Sequence, residues 1–268
     1  MSTLWKGVRK IMRVFLASVC NNLYEKHIEE LLELKRKNYI LCSFIEGEEK
    51  CVKSLKIAGD TEHFLLDSGA FSFCHGKDVT KKEMEKYVDR FISFINKYDI
   101  KYFFEMDVDS VFGLEYVEEI RKKIENQTQK QCIPVWHMNR GKEYWKKMCD
   151  EYSYVAIGGL VAGNQKISRK QQEEILINLS RYARSKGVKV HGLGYTKTKK
   201  LEEINFYSVD STSWAKNAIW GANKCLFRNG KIELEKINTN NKIEQRQLEY
   251  HNLIEWLKYQ DYMDLKKW

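Results

Sequence analysis

Three aspartates stand where short apolar runs of the sequence end: Asp67 in "HFLLDSG", Asp107 in "KYFFEMDVD" and Asp210 in "NFYSVD". Carboxylates that share one site repel one another and shift each other's pKa, an arrangement typical of acid–base or nucleophilic chemistry. A single aspartate at such a position also serves as a helix cap, and that alternative stays open for Asp67 and Asp210 taken alone. We interpret the neighbouring Asp109 as a loop or cap residue.

The elements that would position these acids are short β-type runs separated by charged segments with helical spacing. The runs are 12–19, 38–44, 63–69, 101–109, 132–137, 154–160, 188–194 and 205–210. Strands that alternate with helices predict parallel βαβ units, and eight strands are the number that closes a (β/α)8 TIM barrel. An open doubly wound sheet is the alternative. In a barrel, catalytic groups collect at the carboxyl ends of the strands, so we expect the three aspartates on one rim.

Other rim positions carry residues that suit a binding site. His137 ends the fifth run, Gly158 and Gly159 end the sixth, and His191 and Gly192 lie in the "HGLG" that ends the seventh. Glycine lets a ligand approach the backbone closely. The alternatives are glycines that relieve strand–helix packing and histidines that are hydrogen-bonded at the rim without a role in binding.

The end of the chain departs from the alternating pattern. Asn229-Gly230 stands between two alternating runs in "KCLFRNGKIEL", which predicts a β-hairpin, and "IEQRQLEYHNLIEWLKYQ" predicts a closing amphipathic helix. We interpret residues 1–268 as a single barrel domain in which about 223–268 form a C-terminal hairpin and helix extension.

Composition favours a polyanionic partner. The 268 residues carry a formal net charge of +9, and "NKCLFRNGK" and Lys197–Lys200 are candidate contacts to phosphate, although a solvated lysine-rich surface would give the same charge. The seven cysteines are scattered with no C-x-x-C pair, which indicates reduced thiols and a cytoplasmic protein. The start, "MSTLWKGVRKIMRVFLASVC", is interpreted as leading into a first strand and not as a signal or membrane segment, so no membrane partner is expected.

Several chemistries lack their motifs. The sequence contains no G-x-x-x-x-G-K-[ST] and no G-x-S-x-G, which argues against a P-loop and a nucleophile-elbow hydrolase. The six histidines are dispersed without metal-ligand spacing, so neither a metal nor another cofactor is expected.

The motifs "LLDSGAFSF", "IGGLVAGN", "VHGLG" and "YSVDSTSW", in this order over about residues 60 to 215, resemble the tRNA-guanine transglycosylase superfamily. The similarity is closest to its shorter, phage-type branch of DpdA-like DNA transglycosylases. The resemblance implies a (β/α)8 barrel and exchange of guanine for a 7-deazaguanine through a covalent aspartyl-glycosyl intermediate.

Residue by residue, the resemblance implies a nucleophile at Asp210 and a general acid/base at Asp67. It implies base stacking by Phe71, recognition of the guanine-type edge by Asp107, and backbone contacts from Gly158 and Gly159. His191 falls where the family often has a methionine covering the other face of the base, and Gly192 follows it. His137 is added as a binding candidate from its rim position.

Three departures shape the substrate expected. Ala70 replaces the second glycine of the family's Asp-Ser-Gly-Gly, and Asn164 replaces a glutamate that helps to select an aminomethyl group, which permits a neutral base such as the nitrile preQ0. The family's zinc motif is missing, since only Cys225 lies in that region. This favours DNA over tRNA. Whether an auxiliary protein opens the duplex stays an open question.

Three rival interpretations remain: the same chemistry on tRNA, a non-catalytic barrel that binds nucleic acid or another partner, and a phosphate-binding barrel enzyme of small-molecule metabolism.

Overall fold

The computed structural model describes residues 12–76, 78–158, 168–195, 204, 206–237 and 241–265. The parallel strands are β1 Arg13–Ala17, β2 Ile40–Ser43, β3 Phe64–Asp67, β4 Val135–Trp136, β5 Tyr154–Ile157, β6 Lys189–Gly192 and β7 Ser208–Ser211. A separate antiparallel hairpin consists of β8 Asn223–Arg228 and β9 Lys231–Lys236. The helices are α1 Val19–Asn22, α2 Glu25–Glu33, α3 Glu48–Ala58, α4 Ala70–Cys74, α5 Lys81–Lys97, α6 Asp109–Phe112, α7 Leu114–Thr128, α8 Gly141–Glu151, α9 Arg169–Ser185, α10 Ser213–Gly221 and α11 Lys242–Leu265.

The seven parallel strands form one curled sheet in the order β3-β2-β1-β7-β6-β5-β4. Seven of the eight predicted runs therefore become strands, and strands that follow one another along the chain are mostly neighbours in the sheet. The α/β class and the parallel sheet are confirmed.

The fourth run, 101–109, differs from the prediction. It makes only two isolated parallel bridges, Leu66 with Phe103 and Phe104 with Ile133. The backbone pairing stops there because the buried side chain of Glu105, and not a backbone carbonyl, accepts the N–H of Val135 at 2.8 Å. The closed eight-stranded barrel is thus confirmed only in part, as a curled sheet of seven strands with a bridging segment between its edge strands.

Two layers of apolar side chains hold the sheet. The larger layer lies between the strands and the helices, and the smaller one fills the concave face of the sheet. In the smaller layer Phe15 packs against Tyr39 with ring centroids 5.4 Å apart, and Tyr102 packs against Tyr154 at 6.0 Å. Truncation of such a buried ring to alanine typically costs about 3–5 kcal/mol, so this layer helps to fix the curl on which the site depends.

Local sequence signals account for the long helices. Thr80 and Glu83 form a capping box at the start of α5, and Ser168 and Gln171 form another at the start of α9, so both helices begin where the sequence provides a cap. The predicted hairpin is present, with Asn229 at φ 50° and Gly230 at φ 74°, the left-handed conformations that a tight two-residue turn requires.

The C-terminal helix is tied to the sheet by a buried amide. Gln260 of α11 donates hydrogen bonds to the carbonyls of Val14 (2.8 Å) and Tyr39 (2.9 Å) and accepts one from the N–H of Tyr39 (3.0 Å). The extension therefore joins the strand layer at β1 and at the entry to β2.

Candidate active site

A cavity of about 500 Å³ opens at the carboxyl ends of the parallel strands. This volume lies in the range of small-molecule sites in proteins. It is lined by Leu41, Asp67, Gly69, Ala70, Phe71, Ser72, Asp107, Asp109, Ser110, His137, Asn139, Gly158, Leu193 and Asp210. The structure thus brings six of the residues predicted from the sequence to one cavity: Asp67, Phe71, Asp107, His137, Gly158 and Asp210.

Asp210 lies near the end of β7 and is largely buried. Its Oδ1 accepts a hydrogen bond from the backbone N–H of Gly194 at 2.7 Å and lies 3.2 Å from Nε2 of His191. Among the described residues, no donor is bonded to its Oδ2. One oxygen of this carboxylate is therefore anchored while the side chain lines the cavity.

Asp67 ends β3 beside Ser43, the last residue of β2, and the Ser43 hydroxyl donates a 2.6 Å hydrogen bond to its Oδ2. Burial raises the pKa of Asp67 to about 7. The bond from Ser43 opposes this shift, and the nearby charges of Asp107 and Asp210 reinforce it. A carboxyl group with such a pKa holds a proton or releases it near neutral pH, which is what a general acid/base requires.

Gly69 makes the turn that follows Asp67. Its φ is +66°, and a Cβ at this position would lie 2.7 Å from Oγ of Ser43 and 2.8 Å from Cβ of Ile45. The Tyr87 hydroxyl fixes the same turn by donating a 2.6 Å hydrogen bond to the Ser68 carbonyl. The "DSG" motif therefore has a steric reason for its glycine. The next residue, Ala70, is fully buried at the start of α4, so a methyl side chain is accommodated at that position.

Phe71 is 58% exposed, which is unusual for a phenylalanine, and its ring stacks on His75 at a centroid distance of 5.3 Å. The pair lies on α4 and the residue that follows it. An exposed ring at the wall of the cavity offers a flat surface to a planar ligand.

Asp107 follows the bridging segment and lies 3.3 Å from Nε2 of His137, the residue after β4. Gly158 makes room for this histidine, because a Cβ on Gly158 would lie 2.8 Å from Cε1 of His137. Asp107, His137 and Gly158 thus form one wall of the cavity from the ends of the bridging segment, β4 and β5.

A buried ion network, not predicted from the sequence, holds this wall. Glu105 is fully buried and accepts hydrogen bonds from Arg121 (3.0 Å) and Arg140 (2.6 Å). Arg140 also bonds Asp109 at 3.2 Å. Burial would raise the pKa of Asp109, but the hydrogen bonds and charge of Arg140 outweigh it and lower that pKa. Asp109 is the first residue of α6, with Val108 at the N-cap position, and it lines the cavity, so it is neither the loop residue nor the cap that the sequence interpretation expected.

Of the "HGLG" residues, Leu193 lines the cavity, whereas His191 and Gly192 do not. His191 is 0% exposed and sits beneath Asp210, so it does not form part of the cavity wall. Gly192 is also absent from the wall, and a Cβ there would lie 2.7 Å from the ring of Phe206. The backbone of this loop does reach the site, through the N–H of Gly194. Gly159, Asn164 and Lys197–Lys200 lie outside the described residues.

Ser43, Glu105 and Gly194 are the contributors that sequence reasoning missed. Ser43 was detectable, since it stands at the end of a predicted strand as Asp67 does. Glu105 stands inside an apolar run and gave no such signal.

The arrangement places carboxylates of different environment around one cavity. The pKa of Asp67 is about 7, Asp210 has one oxygen in contact with the Gly194 N–H and the His191 ring, and Asp107 lies beside the His137 imidazole. Two carboxyl groups with separate roles and an aromatic surface can support cleavage of a glycosidic bond and stacking of a base. Within the described ranges, no group of three or more His, Cys, Asp or Glu side chains is arranged to hold a metal ion.

None of the helices in the described part of the chain combines the length and apolar composition that a membrane span requires.

Comparison with known proteins identifies no family for this chain. No protein-family model matches it. No characterised protein matches it in sequence. Among solved structures, it is similar to "QR15, an Aldolase", with a TM-score of 0.46 and 14% sequence identity over 78% of this chain and 92% of that chain. A likeness this distant does not bear on the reaction.

Proposed function

We propose that this chain is a base-exchange transglycosylase, a pentosyltransferase that replaces guanine with a 7-deazaguanine, such as preQ0, in DNA. The observation that carries the proposal is the convergence of Asp67, Asp107 and Asp210 on one cavity of about 500 Å³ with the exposed ring of Phe71 in its wall. The resemblance of the "LLDSGAFSF" and "YSVDSTSW" motifs to guanine transglycosylases supports the same assignment.

In the first half-reaction, Oδ2 of Asp210 attacks C1′ of the target nucleotide. A C1′–O bond forms, the glycosidic C1′–N bond breaks, and the leaving guanine takes a proton from Asp67. The raised pKa of Asp67, about 7, makes the protonated acid available at neutral pH. The anchored carboxylate of Asp210 stabilises the oxocarbenium-like transition state and then bonds to it.

In the second half-reaction, the incoming 7-deazaguanine loses its N–H proton to the Asp67 carboxylate. Its nitrogen attacks C1′ from the side that guanine left, and the C1′–O bond to Asp210 breaks. One acid/base group thus serves both directions, and both carboxylates return to their starting states.

Asp107, Phe71 and Gly158 would recognise the base. A carboxylate accepts two N–H bonds from a guanine-type edge, and His137, 3.3 Å from Asp107, orients that carboxylate. The ring of Phe71 provides stacking worth about 1–3 kcal/mol per base. Because both guanine and a 7-deazaguanine present this edge, the same wall accepts the leaving and the incoming base.

The net charge of +9 supports a nucleic-acid partner. The hairpin adds Arg228 and Lys231, both exposed. The missing zinc motif favours DNA over tRNA. The target base must leave its stack or already be single-stranded, so an auxiliary protein could open a duplex. We further propose that residues 1–268 act as one cytoplasmic domain in which the curled sheet serves as a (β/α)8 barrel.

Incorporation of labelled guanine shows which nucleic acid is the substrate. The protein would be incubated with labelled guanine and single-stranded DNA, duplex DNA or tRNA, and label in the polymer counted. We expect label in DNA, none with Asp210→Asn, and wild-type incorporation with Asp89→Asn, which changes an exposed carboxylate on α5. Label in tRNA alone would show that tRNA, and not DNA, is the substrate. Binding to nucleic acid without incorporation would support the non-catalytic interpretation.

A further inference from the structure

A buried chain of hydrogen bonds runs from the concave layer of the sheet to Asp210. The Tyr154 and Ser208 hydroxyl oxygens are 2.5 Å apart, and Ser208 Oγ lies 2.6 Å from Nδ1 of His191. Nε2 of the same imidazole lies 3.2 Å from Oδ1 of Asp210. The β6–β7 register supports the chain, since His191 and Ser208 are directly paired positions.

The imidazole in this chain is enclosed. His191 is 0% exposed, and its ring packs against Phe104 at 5.1 Å and Phe15 at 6.2 Å between centroids. It does not line the cavity. An enclosed imidazole of this kind reaches a ligand only through Asp210.

One arrangement of protons satisfies every group. Tyr154 donates to Ser208, Ser208 donates to Nδ1 of His191, and Nε2–H donates to Asp210, so the imidazole is neutral with its proton on Nε2. With a proton also on Nδ1, Ser208 Oγ would accept from it, and Ser208 and Tyr154 would have two hydroxyl protons for the one hydrogen bond between them. One of these two buried hydroxyls would then have no acceptor among the described residues, which is costly.

We infer that His191 is a positioning residue for the nucleophile. Ser208 and Tyr154 fix its Nε2–H tautomer, and this N–H together with that of Gly194 holds Oδ1 of Asp210, which leaves Oδ2 for the sugar carbon. The inference rests on the proposed function of Asp210 as nucleophile. It assigns to His191 a role behind the nucleophile and not, as the sequence suggested, on the face of the base.

Kinetics of matched variants test the inference. His191→Leu keeps an apolar side chain in the enclosed site but removes the donor, and we expect kcat for guanine exchange to fall about 10- to 100-fold, with KM within about twofold. His191→Gln keeps an N–H near the position of Nε2 and should recover most of kcat. A purely structural role would instead lower the amount of folded enzyme without changing kcat per folded molecule.

Ser208→Ala and Tyr154→Phe remove single hydroxyls and offer milder variants if His191→Leu does not fold. Each should lower kcat severalfold with little effect on KM. If His191→Leu or, where it does not fold, Ser208→Ala keeps the wild-type kcat, the inference is overturned while the transglycosylase proposal stands. A wild-type protein that exchanges no base overturns the proposed function instead.

A second measurement does not depend on activity. Nitrogen-15 NMR of histidine-labelled wild-type protein, with the resonances assigned by His191→Gln, reports which ring nitrogen carries the proton. We expect His191 as the neutral Nε2–H tautomer at neutral pH. An Nδ1–H tautomer or a doubly protonated ring would overturn the inference whatever the enzyme catalyses.

Discussion

Ser43 and Asp67 are paired positions at the ends of neighbouring strands, and the Ser43 hydroxyl donates a 2.6 Å hydrogen bond to the Asp67 carboxylate. This bond favours the charged form of Asp67, whereas burial favours the protonated form and prevails. The balance leaves the pKa at about 7, so small changes around Asp67 should be visible in the pH dependence of the reaction.

The two half-reactions should depend on pH in opposite directions. Release of guanine requires protonated Asp67, so its single-turnover rate should fall as pH rises through about 7, while attack by the incoming base should rise over the same range. Asp67→Asn should lose both dependences and at least about 100-fold in rate. Rapid-quench measurement of free guanine and of polymer label between pH 5 and pH 9 checks this; equal pH profiles for the two steps would contradict it.

The same group should affect stability. The folded state holds the Asp67 proton more tightly than the unfolded chain, in which an aspartate titrates near pH 4. The free energy of unfolding should therefore decrease as pH rises from about 4 to about 7. Asp67→Asn should flatten this part of the urea-unfolding profile by on the order of 2 kcal/mol, and an unchanged slope would count against the raised pKa.

Removal of the Ser43 hydroxyl should shift the titration of Asp67 upward. Ser43→Ala deletes a donor to the charged form, so the pKa of Asp67 should rise above about 7, by about one unit. The pH at which the rate of guanine release falls should increase by the same amount. Ser43→Thr keeps a hydroxyl and serves as the matched control. Identical pH profiles of guanine release for the alanine and threonine variants would show that the hydrogen bond does not affect the pKa of Asp67.

Two glycines with nearly equal φ allow a controlled test of the turn after Asp67. Gly69 has φ +66° and Gly76 has φ +70°, but a Cβ on Gly69 meets Ser43 at 2.7 Å, whereas one on Gly76 meets nothing within 4 Å. Gly76→Ala should cost only the left-handed penalty, about 1–2 kcal/mol, and keep activity. Gly69→Ala should cost clearly more and abolish exchange. Equal losses in urea unfolding would show that the angle alone, and not the contact, demands glycine.

Much of the site could be predicted from the sequence because chain order and strand period determine where strand ends lie. Asp67 ends β3 and Asp210 is the last residue but one of β7, and parallel pairing brings such ends to one edge of the sheet. The fourth run, 101–109, could not be predicted correctly, because Glu105 has the pattern of a strand residue until its partners Arg121 and Arg140, which lie far along the chain, are known.

His191 shows a second limit of sequence reasoning. Its position relative to the family motif indicated contact with the base, but the side chain on β6 points to the enclosed concave layer, where it meets Ser208 and Phe104. The alternation of side chains along a strand decides between these two positions, and a one-residue difference in register reverses the outcome.

The ion network around Glu105 should dominate local stability. Glu105→Gln leaves Arg121 and Arg140 buried without their shared counter-charge, which should cost about 3–5 kcal/mol. Asp89→Asn breaks an exposed ion pair with Lys123 and should cost no more than about 1 kcal/mol. Urea unfolding followed by circular dichroism compares the two variants, and similar small losses would mean that the network does not hold the cavity wall.

The central claim is that Asp210 bonds to the sugar. The most direct test is to incubate the protein with single-stranded guanine-containing DNA in the absence of an incoming base and to quench the reaction. Peptide mass spectrometry then maps the covalent adduct. We predict an adduct on the peptide that contains Asp210, lost in Asp210→Asn and retained in Asp89→Asn. An adduct on Asp67 or another residue, or exchange that proceeds with no adduct at all, would contradict the account.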